Sequence, residues 1–185
     1  MDPIKEAEIY KNKGNEAFNL EDYHLALSLY NKAINIAPKN SRDMATYLKN
    51  RAAAYLKLKE YEKTINDCDT ALQIIPEDPK ALFRRAQALE NLERFEEAYR
   101  DAKIIFTVDP TNKAIQPILK RLHAIVQERA RIASQTNNKV EQMFKLAFDF
   151  GADGEKQIVI ILHLTGPRSL LKLEDYSDYW RYVVS

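Results

Sequence analysis

Apolar residues recur along the first half of the chain with the three-and-four spacing of amphipathic helices. Three short charged breaks interrupt this spacing, and they resemble one another: NLEDY, KLKEY and NLERF. A helical stretch of about 13 residues lies on either side of each break. The pattern therefore predicts an all-α chain in which helices come in pairs joined by short turns.

The helix pairs form an internal repeat. Similar phrases end at Pro38, Pro76 and Pro110, and counting back from each proline gives three blocks in register: 7–40, 45–78 and 79–112. The four residues SRDM (41–44) are an insertion between the first two blocks. Equivalent positions agree in type, with a small eighth residue (Gly14, Ala52, Ala86) and an aromatic seventeenth residue (Tyr23, Tyr61, Phe95). Two helices of this length cannot bury their apolar faces alone, so we expect the blocks to stack around a shared core.

This pattern resembles the tetratricopeptide repeat, a helix–turn–helix unit of 34 residues. The resemblance implies a superhelix of three helix pairs, which occupies residues 1–112. Residues 113–135 continue as an amphipathic stretch, and we expect a long helix there that caps the open end of the stack.

Two local signals fit this arrangement. Gly14 lies inside the first helix, where glycine costs about 1 kcal/mol relative to alanine. No second glycine is near, so we interpret Gly14 as a close contact between helices rather than part of a phosphate-binding loop. Asp2 before Pro3 and Asp78 before Pro79 predict helix starts with a capping carboxylate.

The resemblance also predicts a binding site. In this family the concave face is lined by the first helix of each repeat. Five residues at groove positions match the carboxylate clamp of tetratricopeptide domains that bind the C-terminus of heat-shock proteins 90 and 70, which ends in Glu-Glu-Val-Asp: Lys11, Asn15, Asn50, Lys80 and Arg84. Two ammonium groups, two amides and a guanidinium suit the two carboxylates of a C-terminal aspartate.

Two further expectations concern the groove. No acidic residue lies between Lys11 and Asn15, and we expect their acid to arrive with the partner. Phe18, Ala53 and Gln87 are groove-facing positions that could line side pockets, although Phe18 fits the core equally well.

The stretch 121–149, with its KVEQMF motif, looks like the junction found in the uncoordinated-45 myosin chaperones of the UCS family. There a tetratricopeptide domain passes through a long helix into armadillo-type repeats. We therefore expect residues 136–185 to begin a second helical region, truncated or atypical, because its last part does not align with the family. A generic capping helix is the alternative. Myosin would be bound through a region largely absent here.

Composition excludes several classes of protein. The chain has 28 Lys and Arg against 27 Asp and Glu, a net charge of +1, which argues against nucleic-acid or membrane-surface binding. The longest apolar run, IVIILHL at 158–164, is too short to span a membrane. A single cysteine, Cys68, fits a reducing, cytoplasmic location. The histidines show no metal-ligand spacing, and no nucleotide-binding or hydrolase motif is present, so we expect no cofactor, metal or catalysis.

The sequence thus favours a co-chaperone adaptor that captures the tail of heat-shock protein 90, with heat-shock protein 70 as a second ligand. Two alternatives stay open. One is a tetratricopeptide scaffold that binds other peptides, and the other is the recognition arm of a multidomain enzyme.

Overall fold

The computed structural model describes residues 2–149, all of which lie in helices or in short connections between them. Three helix pairs come first: α1 (Pro3–Asn19) with α2 (Tyr23–Ile36), α3 (Arg42–Lys57) with α4 (Tyr61–Ile74), and α5 (Pro79–Asn91) with α6 (Phe95–Val108). A long helix, α7 (Ile115–Asp149), follows. The predicted all-α class, with three helix pairs and a long helix after them, is confirmed.

The repeat positions form the core between the helices. The small eighth residues are buried, as are the twentieth residues, Ala26, Thr64 and Ala98. The aromatic seventeenth residues are the first residues of α2, α4 and α6. The predicted stacking around shared small positions is therefore confirmed.

All three turns inside the pairs have the same backbone geometry. Their fifteenth residues adopt a left-handed conformation, with φ of 61° at Glu21, 61° at Lys59 and 57° at Glu93. The next N–H in each turn donates to a carbonyl five residues back at 2.9 Å, which is the Schellman motif that ends a helix. The predicted caps also form, because Asp2 accepts from the N–H of Ile4, and Asp78 accepts from the N–H groups of Lys80 and Ala81.

Charged side chains join neighbouring pairs. Arg51 donates twice to the buried Asp67 in its own pair and once to Asn31 in the pair before. Arg85 repeats this pattern with Asp101 and Asp69. Because each arginine occupies the same repeat position, these contacts fix the register of one repeat on the next.

The start of α7 closes the third repeat. Ile115 and Leu122 are buried in one cluster with Leu89 and Ile105. Arg121 donates two hydrogen bonds to Glu90, each at 2.9 Å. The chain divides into two compact units after Gln135, inside α7. The expected armadillo-like region lies outside the described residues from position 150 onward, and the division into 1–112, 113–135 and 136–185 stays a prediction.

Candidate peptide-binding cleft

The first helices of the three pairs lie side by side and form one open cleft. Helix α3 contacts both α1 and α5. The cleft has a volume of about 300 Å³ and is lined by Asn15, Phe18, Asn19, Tyr30, Asn50, Ala53 and Arg84. It therefore brings together three of the five predicted clamp residues: Asn15, Asn50 and Arg84.

The two asparagines are hydrogen-bonded to each other. Asn15 Oδ1 accepts a hydrogen bond from Asn50 Nδ2 at 3.1 Å and another from the Tyr30 hydroxyl at 2.8 Å. Neither N–H of Asn15 Nδ2 bonds to a described residue. The amide nitrogen of Asn15 is thus available to an acceptor that enters the cleft.

Arg84 is a half-buried cation that lacks a carboxylate partner within residues 2–149. Its Nη1 donates to the main-chain carbonyl of Lys49 at 2.6 Å. Burial lowers the pKa of Arg84, and nearby charges, including that of Asp78, oppose the shift. The guanidinium nevertheless stays protonated, because arginine does not lose its proton in proteins. The adjacent Arg85 has two carboxylate partners, so Arg84 differs from it in carrying a charge that the cleft does not balance.

The two predicted lysines are not among the side chains that line this cleft. Lys80 is exposed near the start of α5. Lys11 Nζ lies 3.4 Å from Glu8 Oε1, so the expectation that the acid for Lys11 arrives only with the partner is wrong, because Lys11 has an acidic neighbour in its own helix. The pair is a long, largely exposed contact within one helix, and such pairs are weak.

Of the side-pocket candidates, Phe18 and Ala53 line the cleft, and Gln87 does not. Phe18 also packs against the core, with its ring edge-on to Tyr23 at a centroid distance of 5.4 Å. Both interpretations of Phe18 therefore hold, since one side of the ring faces the core and another faces the cleft.

Sequence reasoning missed two contributors. Tyr30 is the twenty-fourth residue of the first block, and the repeat pattern does not indicate its hydroxyl contact with Asn15. Lys49 supplies the carbonyl for Arg84, and its Nζ lies 2.6 Å from Asp78 Oδ2. A hint was present for Tyr30, because the equivalent positions hold the much smaller Cys68 and Ala102.

The residues described also bear on metal binding, membrane insertion and cysteine reactivity. No cluster of three or more His, Cys, Asp or Glu side chains there could hold a metal ion. None of the helices described is both long and apolar enough to cross a membrane. Burial raises the pKa of the Cys68 thiol to about 12, so this cysteine is a poor nucleophile at neutral pH.

Fold and cleft define a helical-repeat protein, and sequence comparison specifies its type. Two models of the tetratricopeptide repeat match residues 7–40 and 45–78. The tetratricopeptide domain of Arabidopsis OM64 is 34% identical and superposes with a TM-score of 0.62 over 66% of this chain and 98% of that domain. The chain therefore belongs to the tetratricopeptide-repeat family.

Within that family, the chain is homologous to the N-terminal repeat region of UNC-45 proteins. It is 36% identical to human unc-45 homolog B over 152 residues, which is 82% of this chain and 16% of the human protein. The myosin chaperone UNC-45 of C. elegans, in complex with an Hsp90 peptide, is 34% identical with a TM-score of 0.64, over 80% of this chain and 17% of the worm protein. The same worm protein in complex with an Hsp70 peptide also superposes with a TM-score of 0.64. It is 33% identical, over 82% of this chain and 17% of the worm protein. The predicted relationship to the UNC-45 family is confirmed, and the chain spans about a sixth of these relatives' length.

Proposed function

We propose that this chain is a co-chaperone adaptor that binds the C-terminal Glu-Glu-Val-Asp tail of heat-shock protein 90, with heat-shock protein 70 as a second ligand. The observation that carries the proposal is the guanidinium of Arg84, which has no carboxylate partner within residues 2–149, in a cleft that also presents the amide nitrogen of Asn15. A half-buried cation is stabilised by an anion, and a free peptide terminus supplies one.

The five predicted residues divide between the two carboxylates of the terminal aspartate. Lys11, Asn15 and Asn50 serve one carboxylate, and Lys80 and Arg84 serve the other. Charge-assisted hydrogen bonds are worth about 1.5–3 kcal/mol each. After the cost of ordering a flexible tail, several of them leave a Kd that is roughly micromolar. The two lysines add attraction at the rim: Lys80 is exposed there, and Lys11 can exchange its weak contact with Glu8 for the peptide carboxylate.

The test is calorimetric titration with a peptide that ends in Glu-Glu-Val-Asp, beside the same peptide amidated at its C-terminus. We expect roughly micromolar binding of the free acid, and loss of binding on amidation, on Arg84→Ala and on Lys80→Ala. Arg100→Ala is the matched control, because Arg100 is exposed on α6 and is not part of the cleft lining. Equal binding of the amide would contradict the clamp and favour a scaffold for internal peptides.

We propose no catalytic role, because the solved UNC-45 relatives are described as chaperones. We also propose that the chain is cytoplasmic. The worm relative is described as a myosin chaperone, and this chain matches about a sixth of it. A contribution of this chain to myosin maturation is therefore a separate proposal. It predicts that the chain lowers heat-induced aggregation of myosin, and an unchanged rate of light scattering would contradict it.

A further inference from the structure

Tyr30 reaches the cleft from a different direction than the other polar side chains that line it. Those side chains, Asn15, Asn19, Asn50 and Arg84, come from α1, α3 and α5, whereas Tyr30 comes from α2. Its ring is 2% exposed, and only the hydroxyl end reaches the polar groups of the cleft.

The hydroxyl of Tyr30 completes the hydrogen bonding of one oxygen. An amide oxygen has two lone pairs, and on Asn15 Oδ1 these accept from Tyr30 at 2.8 Å and from Asn50 Nδ2 at 3.1 Å. With its oxygen held in this way, the amide of Asn15 presents its nitrogen on the opposite side. We infer that Tyr30 is a positioning residue for carboxylate recognition, because its buried hydroxyl fixes the Asn15 side chain with the donor end toward the ligand. This inference rests on the proposed function.

Such positioning matters because an asparagine side chain can present either a donor or an acceptor. A carboxylate accepts hydrogen bonds only, so a reversed amide would place its oxygen against the ligand's oxygens. Burial raises the pKa of Tyr30 to about 12, against an opposing effect of the Arg84 charge. The phenol therefore remains a donor at every pH at which the protein would be studied.

Packing sets where the hydroxyl lies. A β-carbon at position 14 would come within 2.5 Å of Tyr30 Cε1, so the ring fits only because residue 14 is glycine. The equivalent positions in the second and third repeats, Cys68 and Ala102, have no side chain of comparable reach. The contact of a tyrosine hydroxyl with a clamp asparagine is therefore specific to the first repeat, which carries Asn15.

The experiment uses Tyr30→Phe, which keeps the ring and removes the hydroxyl. Calorimetry with the free-acid Glu-Glu-Val-Asp peptide is done on the unchanged protein, Tyr30→Phe, Asn15→Ala and the double variant. We expect Tyr30→Phe to weaken binding about fivefold to tenfold, the value of one hydrogen bond. In the Asn15→Ala background, the same change should have no effect. Tyr47→Phe is the control, since Tyr47 is equally buried and no hydrogen bond to a clamp residue is found for its hydroxyl in the described chain.

A second measurement works without ligand. The side-chain NH₂ signals of Asn15 in ¹⁵N NMR spectra should shift on Tyr30→Phe and stay in place on Tyr47→Phe. Unmoved signals would overturn the inference whether or not the peptide binds. It would also be overturned if Tyr30→Phe bound as tightly as the unchanged protein, or weakened binding equally in both backgrounds. If the unchanged protein did not bind the free-acid peptide, the proposed function would fail and the positioning of a carboxylate donor would fail with it.

Discussion

Gly14 of α1 lies directly against the ring of Tyr30 in α2. A β-carbon at position 14 would be 2.5 Å from Tyr30 Cε1 and 2.7 Å from Cδ1, closer than two carbon atoms can approach. The predicted role of Gly14 as a helix contact is thereby confirmed. The same contact links the core to the cleft, because the hydroxyl of that ring bonds to Asn15.

Gly14→Ala tests this link. Alanine gains about 1 kcal/mol in helix propensity. We expect overpacking against the buried ring to exceed this gain, so that the free energy of unfolding falls by about 1–2 kcal/mol. Peptide affinity should fall as well, because the Tyr30 hydroxyl moves away from Asn15. Urea unfolding and calorimetry measure the two effects.

Ala52→Gly is the control for Gly14→Ala. This variant makes the reverse change at the equivalent repeat position. It should lower the free energy of unfolding by about 1 kcal/mol through helix propensity. Peptide affinity should stay unchanged. A Gly14→Ala protein that is more stable than the original would show that the ring yields to the extra methyl group.

The fold could be predicted from the sequence because the same residue types recur at the same positions of all three blocks. A position that is small in all three blocks must face a neighbouring helix, and the aromatic seventeenth residues are the first residues of α2, α4 and α6. The clamp residues came from the family resemblance. Which of two adjacent arginines carries an unbalanced charge could not be read from sequence. Successive helix residues point about 100° apart, and the partners of Arg85 come from two other helices, α4 and α6.

Replacing Arg85 should therefore destabilise the fold more than replacing Arg84. Arg85→Ala leaves the buried Asp101 without its bidentate partner, and we expect a loss of about 3 kcal/mol of stability, as when one member of a buried ion pair is removed. Arg84→Ala removes a cation that has no carboxylate partner in the described chain, so its stability cost should be at most about 1 kcal/mol.

For peptide affinity the order should be reversed, with the larger loss on replacement of Arg84. Arg84→Ala should abolish binding of the free-acid peptide, whereas folded Arg85→Ala protein should retain most of its affinity. Thermal unfolding and calorimetry on both variants provide the comparison. Equal losses of stability would contradict the difference in ion pairing.

The turn residue Lys59 offers a gain in stability. Its φ of 61° is a left-handed conformation that costs a side-chain-bearing residue about 1 kcal/mol and costs glycine little. Lys59→Gly should raise the free energy of unfolding by up to about 1 kcal/mol. Lys103→Gly, the same change at an exposed position inside α6, should lower it by a similar amount. If the urea midpoint fell for both variants, the left-handed backbone at Lys59 would not be a source of strain.

Acid should weaken the contact that holds α5 against α3. Burial alone would raise the pKa of Asp78, but hydrogen bonds from Lys49 and from the N–H groups of Ala81 and Lys80 outweigh it and lower the pKa. A carboxyl with a lowered folded pKa stabilises the protein above its unfolded pKa of about 3.9, and this contribution is lost as the pH falls through the folded value. Asp78 should therefore stabilise the fold at neutral pH and cease to do so in acid.

A double-mutant cycle on Lys49 and Asp78 isolates this pair. Lys49→Met removes the ammonium, Asp78→Asn keeps an N-capping side chain, and neither change touches the Lys49 carbonyl that Arg84 uses. We expect a coupling energy of about 1–2 kcal/mol at pH 7, since the 2.6 Å contact is largely shielded from water. The coupling should shrink as the pH falls through the folded pKa of Asp78, which lies below the unfolded value of about 3.9, because the protonated carboxyl no longer carries the charge that Lys49 pairs with. Urea unfolding of the four proteins at pH 7, 5 and 3 measures it. A coupling energy near zero at pH 7 would contradict the ion pair, because the 2.6 Å contact between Lys49 and Asp78 would then add nothing to the packing of α5 on α3.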